Sequence, residues 1–326
     1  MNDLKKKIFD LAASDLAEIE IALKDNLKTY LEIVSKAAGH ILFSGGKRFR
    51  PLLMILSARI CGYDGTYDKT FSIIFEYLHA ATLLHDDIVD EATLRRGQPV
   101  ANSIYGSATA VLVGDFLLAR SLSIAANTGS IKVIKAIGDV TEDMAQGEIH
   151  QLIKKGSLDL TEKEYMEVIR RKTASLIQGA CLTGALIADG KENEKNALSD
   201  FGLNLGFAFQ MADDLLDYTS DTAVLGKTVG TDLREGKMTL PLIYALKNAE
   251  PDDRVKMEAI ISDTNFSDSD FNSLKMLLDT YGGIRYTTKL ATEHVQKAKD
   301  ALSVFAPSQT RDLLSMLADY TISRNL

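Results

Sequence analysis

Apolar residues recur at helical spacing through almost the whole chain. From 71 to 85, Phe71, Ile74, Phe75, Leu78, Thr82 and His85 share one broad face. From 164 to 187, so do Tyr165, Val168, Ile169, Thr173, Leu176, Ile177, Ala180, Gly184 and Ile187. Residues 8–34 and 288–305 read as longer amphipathic stretches with solvated charged faces. Alternating strand patterns are scarce, and Asp64-Gly65 separates two helical patterns, not two strands. Glycine and proline punctuate the chain at helix-like intervals, and Thr161–Glu164 has the form of a capping box. The pattern predicts roughly a dozen helices, an all-α fold and a single large bundle over residues 1–326. Residues 219–239 form the longest segment with only a weak helical pattern, a common property of functional loops and lids.

Two of these helices end in a way that conflicts with their apolar bodies. FEYLHAATLL runs into LLHDDIVD, which places Asp86, Asp87 and Asp90 within one turn. MADDLLD repeats the spacing with Asp213, Asp214 and Asp217. Like charges at i, i+3 and i, i+4 cost a few tenths of a kcal/mol per pair, and more where the site is half-buried. A solvated acidic helix end would account for one such cluster. Two with the same spacing, each after an apolar helix, favour a bound cation. Mg²⁺ fits, since it takes oxygen ligands and is held by one or two carboxylates together with phosphates. Neither motif has the alternating acids of an EF-hand loop.

Cations bracket the two motifs. GGKRFRP, residues 45–51, sets Lys47, Arg48 and Arg50 at a helix start with Pro51 in the first turn, an arrangement suited to a diphosphate. It is not a P-loop, because Arg48 follows Lys47 where Ser or Thr would stand. Arg95 and Arg96 come just after the first motif, Lys172 follows Arg170-Arg171, and Lys227 and Lys237 lie in the weakly patterned segment. Singly these are ordinary surface charges; together they suggest a site for two phosphorylated groups.

Composition narrows the field. The 326 residues are 46% hydrophobic with five prolines, enough for a large core and no linker. A net charge of −8 argues against nucleic acid or an anionic membrane surface as partner. The two cysteines, Cys61 and Cys181, sit in apolar surroundings and read as reduced thiols. The N-terminus lacks a signal-peptide core, and no unbroken run of about 18 apolar residues occurs. These features predict a soluble cytoplasmic protein without a transmembrane segment.

Acids, Mg²⁺ and cations would serve either phosphoryl transfer or loss of diphosphate from carbon. The latter is favoured: there is no nucleotide-binding loop, and an apolar helix face leads away from the acids. A carbon cation needs a dry site with a few oriented dipoles, and Thr173 and Gln210 are polar residues among apolar neighbours near the motifs. Local alternatives for them are a helix back-bond and a satisfied amide.

At this point the sequence resembles the trans-isoprenyl diphosphate synthases of the polyprenyl synthetase family. GGKRFRP, LLHDDIVDEATLRRGQP, RRKTASLI, GFAFQMADDLLDY and LGKTVGTDLREGKMTLPLIYAL occur in that family's order over about residues 45–245. The resemblance implies an isoprenoid-synthase bundle with a central cavity. It implies that Asp86, Asp87, Asp90, Asp213, Asp214 and Asp217 hold Mg²⁺, with Asp86, Asp90 and Asp213 as the direct ligands. Arg95, Lys172, Lys227 and Lys237 would neutralise the allylic diphosphate. Lys47, Arg50, His79 and Arg96, with Arg324 near the C-terminus, would bind isopentenyl diphosphate. Lys172, Thr173 and Gln210 would be the catalytic group, with Thr173 and Gln210 facing the allylic cation. A class I terpene cyclase or a non-catalytic subunit of a heteromeric synthase are the alternatives, but the second motif is a full DDxxD and no acid or cation is missing. Thr228 stands where the family often has Pro.

Product length is expected from the helix before Asp86. Thr82 and Ala81 are small, and the next obstructions, Leu78, Phe75 and Ile74, lie about 12–18 Å away by helical rise. That favours a long, octaprenyl-like product over a farnesyl or geranylgeranyl one, with a tunnel floor on 108–126 or 131–150. The resemblance further implies a homodimer, and the apolar stretch 108–126 is the expected interface helix.

Overall fold

The computed structural model describes residues 2–65, 68–219 and 230–323. Helices α1 (Asn2–Leu11), α2 (Ala13–Asn26), α3 (Glu32–Leu42) and α4 (Phe49–Ile60) precede α5 (Asp68–Val89), which ends in the first acidic motif. Strands β1 (Leu94–Arg95) and β2 (Gln98–Pro99) form a small antiparallel hairpin. Then come α6 (Ala101–Tyr105), α7 (Ser107–Ala126), α8 (Ile131–Ile153) and α9 (Glu162–Ile169). A π-helical turn, Arg170–Ala174, joins α9 to α10 (Ser175–Ile187). Helix α11 (Glu192–Thr219) carries the second motif. It is followed by α12 (Thr231–Arg234), α13 (Leu240–Asn248), α14 (Pro251–Ser262), α15 (Asp268–Thr280), α16 (Gly283–Ala301) and α17 (Gln309–Ser323).

Two apolar clusters hold these helices. The larger draws on α1–α8, α10, α16 and α17; the smaller gathers α9 and α12–α16. Helix α11 belongs to both, with Phe201, Leu205 and Ala208 in the first and Met211 and Tyr218 in the second. It is therefore the spine on which the second acidic motif rides. The capping box at Thr161 and Glu164 is formed, and Ser267 with Asp270 makes another at α15. Pro241 and Pro251 sit in the first turns of α13 and α14, where a missing N–H costs nothing.

The π-turn has a local cause. A Cβ on Gly147 of α8 would lie 2.5 Å from the Lys172 backbone nitrogen, and one on Gly206 of α11 would lie 2.4 Å from the Ala174 Cα. Both neighbours are backbone, so each glycine admits a helix closer than any side chain could. The two backbones clamp the segment that bears Lys172 and Thr173, and the wide turn lets it bulge. Such bulges are frequent at functional sites.

Several expectations change. The stretch 8–34 is not one helix: it kinks at Ala12, across which Ala12 N–H still bonds Ile8 and Leu16 N–H bonds Ala12, and it ends before α3. The stretch 288–305 stays helical to Ala301 and then tightens into a 3₁₀ turn. The hairpin escaped notice because its turn is Arg96-Gly97, both with positive φ, where Asn-Gly would be the recognisable signal. Helix α7 is long and apolar enough by length and composition to cross a membrane, although Asp115 and Arg120 interrupt it. It packs along α5 and buries Val113, Leu117, Ser121 and Ile124.

Gly147→Ala and Gly206→Ala should each destabilise the fold by about 1–3 kcal/mol through overpacking. Gly138→Ala, on the same α8 but facing open space, should be neutral or stabilising by about 0.5–1 kcal/mol. Urea unfolding midpoints check this ordering.

Candidate active site

A cavity of about 870 Å³ lies among α4, α5, α7, α8, the π-turn, α10 and α11. A second, of about 1070 Å³, opens between the ends of α5 and α11 and the hairpin, α9 and α12. The two share Leu83, Asp86, Arg95, Arg96, Lys172, Thr173, Gln210 and Asp213. Charged walls thus give way to Leu78, Leu118, Met144 and Leu176, and Leu78 lies two turns below Asp86 on α5.

The six aspartates do not converge. Asp86, Asp90 and Asp213 face the cavities, whereas Asp87 and Asp217 line neither. Asp87 follows Asp86 by about 100° of helix rotation, so its carboxylate turns into the protein and pairs with Arg95 at 2.7 and 2.8 Å. Asp217 accepts the backbone N–H groups of Thr231 and Asp232, each at 3.1 Å, and so caps α12. Asp214 is 4% exposed, and both its oxygens are engaged, by Tyr165 Oη at 2.6 Å and Gln210 Nε2 at 2.7 Å. Asp86, Asp90 and Asp213, expected as the direct ligands, line the cavities; Asp214 also lines the second but has both oxygens engaged, and Asp87 and Asp217 line neither. Burial pushes the Asp86 carboxyl up to about 6, with Lys172 opposing and Glu148 and Asp90 reinforcing. Burial likewise raises Asp214, while its two donors oppose the rise. Among the described residues, no three acidic, Cys or His side chains cluster tightly enough to enclose a metal ion. The cavity-facing set is all carboxylate oxygen, which fits a hard divalent ion shared with phosphate oxygens.

The cations divide in the same way. Lys47, Arg50, His79, Arg95 and Arg96 line the first cavity. Lys47 also lies 4.9 Å over the Tyr320 ring, and Arg50 5.9 Å over Phe209. Arg96, held at φ +53°, bonds the Gly45 carbonyl and so ties the hairpin to the GGKRFRP loop. Burial first, and then Arg50 and Arg96, depress the His79 pKa well below its ordinary value, so its imidazole is neutral. Lys172 pairs with Glu148 and donates to Gln151 at 2.6 Å. Lys237 pairs with Asp90 at 3.2 Å and with Glu235, and Asp232, Glu235 and Asp90 hold its proton tightly against the cost of burial. Lys227 and Arg324, and with them Thr228, lie outside the described residues.

Arg48 is different from its neighbours in the motif. It is 5% exposed, in the left-handed region at φ +49°, and its guanidinium reaches Glu20 at 2.5 Å, Glu76 at 2.8 Å and the Leu42 carbonyl at 2.7 Å. It therefore locks α2, α3 and α5 to the loop from which Lys47 and Arg50 project. Sequence reasoning grouped it with the phosphate-facing cations and passed over Glu76 and Glu148. Glu148 had a readable signal: Met144, Glu148 and Gln151 fall at i, i+4 and i+7, a polar break in one stripe of α8.

Thr173 Oγ1 donates to Gln210 Oε1 at 2.7 Å, and both residues line both cavities. Of the residues named for product length, Leu78 and Thr82 line the first cavity. Ala81, one step round α5, is fully buried and lies outside the lining.

An all-α bundle that sets two DDxxD helix ends over an apolar cavity ringed by cations is the architecture of a trans-prenyltransferase. The chain belongs to the polyprenyl synthetase family, whose model matches residues 31–278. It is 37% identical over 320 residues to the octaprenyl diphosphate synthase of Escherichia coli (strain K12), covering 98% of this chain and 99% of that one. It is 36% identical over 323 residues to the all-trans-nonaprenyl-diphosphate synthase (geranyl-diphosphate specific) of Rhodobacter capsulatus, covering 99% and 98%. Among solved structures, a polyprenyl synthase from Caulobacter crescentus CB15 complexed with calcium and isoprenyl diphosphate superposes with a TM-score of 0.93 at 38% identity, covering 98% of each chain.

Arg48→Met should cost about 3–5 kcal/mol, because it strands the buried Glu76 carboxylate without a partner. Adding Glu76→Gln in the same chain should recover part of that loss. Chemical denaturation of the wild-type, single and double variants measures both effects.

Proposed function

We propose that this chain condenses isopentenyl diphosphate with an allylic prenyl diphosphate, in the trans, head-to-tail sense and with Mg²⁺, to make a long-chain polyprenyl diphosphate of octaprenyl class. The observation that carries it is the single cavity in which Asp86 and Asp213 sit at one end and an apolar wall of α5, α7, α8 and α10 leads away from them. The long-chain relatives, and the absence of any aromatic residue at positions 81 and 82, support the length.

In this reading Asp86, Asp90 and Asp213 hold the metal, and Asp87, Asp214 and Asp217 orient the helices that present them. Bound Mg²⁺ supplies positive charge that stabilises the departing diphosphate. Lys172, Lys237 and Arg95, with Lys227 from the weakly patterned segment, neutralise the same group. Lys47, Arg50, His79 and Arg96 bind isopentenyl diphosphate, with His79 as a neutral donor, and Arg324 adds to that site. Once diphosphate leaves, Thr173 turns oxygen toward the allylic cation while Gln210 accepts the Thr173 hydrogen bond, the isopentenyl double bond attacks the cation, and a proton is lost. Among the described residues no side chain is placed as an evident base, and the released diphosphate takes the proton. The apolar walls exclude water that would otherwise capture the cation.

Chain length then depends on Leu78 and Thr82, with Ala81 behind them, and on the facing Leu118, Thr141, Met144 and Leu176. The exposed apolar residues Val111, Leu112 and Leu122 of α7, with Ile134 of α8, support a homodimer through α7. The two apolar clusters share α11, which supports treating the chain as one domain.

Purified chain alone should elongate an allylic diphosphate, lose activity on chelation and regain it with Mg²⁺. Asp86→Ala should lower turnover by at least about 10³-fold with its circular dichroism unchanged; normal Mg²⁺-dependent activity in that variant would sink the assignment.

Product length has its own test, read by reversed-phase chromatography. Thr82→Phe puts a ring into the cavity and should stop growth at farnesyl or geranylgeranyl length. The same shortening in Ala81→Phe would extend the path to that side of α5. Full-length product from both variants would remove α5 as the tunnel wall.

A further inference from the structure

Tyr165 was one of the apolar-face residues of α9, and nothing in the proposed reaction uses it. It is 3% exposed, yet its hydroxyl is not idle: it donates to Asp214 Oδ2 at 2.6 Å. The other Asp214 oxygen accepts from Gln210 Nε2 at 2.7 Å, and Gln210 Oε1 accepts from Thr173 Oγ1 at 2.7 Å. Four side chains from α9, α11 and the π-turn thus form one directed series of hydrogen bonds that ends at the cavity wall.

The direction follows from donor and acceptor chemistry. A primary amide has one acceptor oxygen and a donor nitrogen. With its nitrogen turned to the carboxylate, Gln210 can offer Thr173 only its oxygen. A hydroxyl has a single proton, and Thr173 commits it to Gln210. What Thr173 presents elsewhere is oxygen lone pairs, the correct polarity beside a developing carbon cation. An uncommitted hydroxyl would rotate and turn its proton toward the same charge. We propose that Tyr165 is a positioning residue for the prenyl transfer: by holding one oxygen of Asp214 it fixes the carboxylate, the Gln210 amide and hence the polarity of Thr173. This rests on the reading of Thr173 as the group facing the cation. Burial and the neighbouring Asp214 raise the Tyr165 pKa well above its ordinary value, so the phenol remains a donor. Without it, the carboxylate is free to turn about its Cβ–Cγ bond, and the amide turns with it.

The test is a double-variant cycle in the full chain with Mg²⁺, isopentenyl diphosphate and an allylic diphosphate. Tyr165→Phe should lower kcat by about ten-fold with both KM values within about two-fold of wild type. In a Thr173→Val background it should cause no further loss, whereas in Thr173→Ser, which keeps the hydroxyl, the loss should persist. Additive losses in the Thr173→Val background, an unchanged kcat, or an effect confined to KM would overturn the proposal. Should Tyr165→Phe not fold by circular dichroism, Gln210→Leu breaks the next link, and its kcat loss must also vanish in Thr173→Val; additivity there again overturns it. A wild-type chain that does not elongate the allylic diphosphate would instead overturn the reading of the site.

Discussion

The structure depends on one electrostatic constraint. Carboxylates cannot gather at the partly buried ends of two helices without positive charge or N–H donors to meet them. Most of these contacts come from another element, although Gln210, on the same helix as Asp214, supplies one of them. Arg95 of the hairpin meets Asp87, Lys237 after α12 meets Asp90, and Lys172 of the π-turn meets Glu148. Asp214 takes hydroxyl and amide donors, and Asp217 takes backbone N–H groups. The hairpin, the π-turn and α12 are small irregular pieces in an otherwise regular bundle. Each sets a cation or N–H donors against a carboxylate of the neighbouring helices.

This arrangement separates two kinds of acid that look identical in sequence. The acid after Asp86 or Asp213 projects about 100° away on the helix, where Asp87 meets Arg95 and Asp214 meets Tyr165 and Gln210. The adjacent pairs therefore divide between a cavity-facing carboxylate and one that fixes the helix against its neighbours. The third acid of each motif shows that spacing alone does not decide the matter. Asp90 faces the second cavity, while Asp217 is drawn aside by the amides of α12.

Much of this was legible. Helical periodicity gives the all-α bundle, and the repeated acid spacing, the GGKRFRP loop and the paired arginines name most residues around the cavity. What was not legible is set by tertiary contact. The π-turn exists because Gly147 and Gly206, distant in sequence, both admit backbone there. Arg48 reads as one more cation until Glu20 and Glu76, each 28 residues away in sequence, are seen to enclose it. Tyr165 lies in a flawless apolar stripe, and only the approach of Asp214 turns it from packing into a hydrogen-bond donor. Periodicity reports which face is buried, but not which polar atom waits on the other side.

The two motifs are also joined more directly than their separation suggests. Lys237 is set by its own backbone N–H on the Asp232 carbonyl, and Asp232 belongs to the helix that Asp217 caps. From there Lys237 reaches across to Asp90 on the first motif. The last acid of one motif thus places the lysine that pairs with the last acid of the other. In the proposed reaction a metal-bound diphosphate would enter between these partners, exchanging the lysine–aspartate contact for contacts of each with the ligand. Because α12 is short and tied to α11 through Asp217, that exchange would be felt at both helix ends at once. The α12 segment is therefore the piece of structure that ties the last acids of the two motifs together.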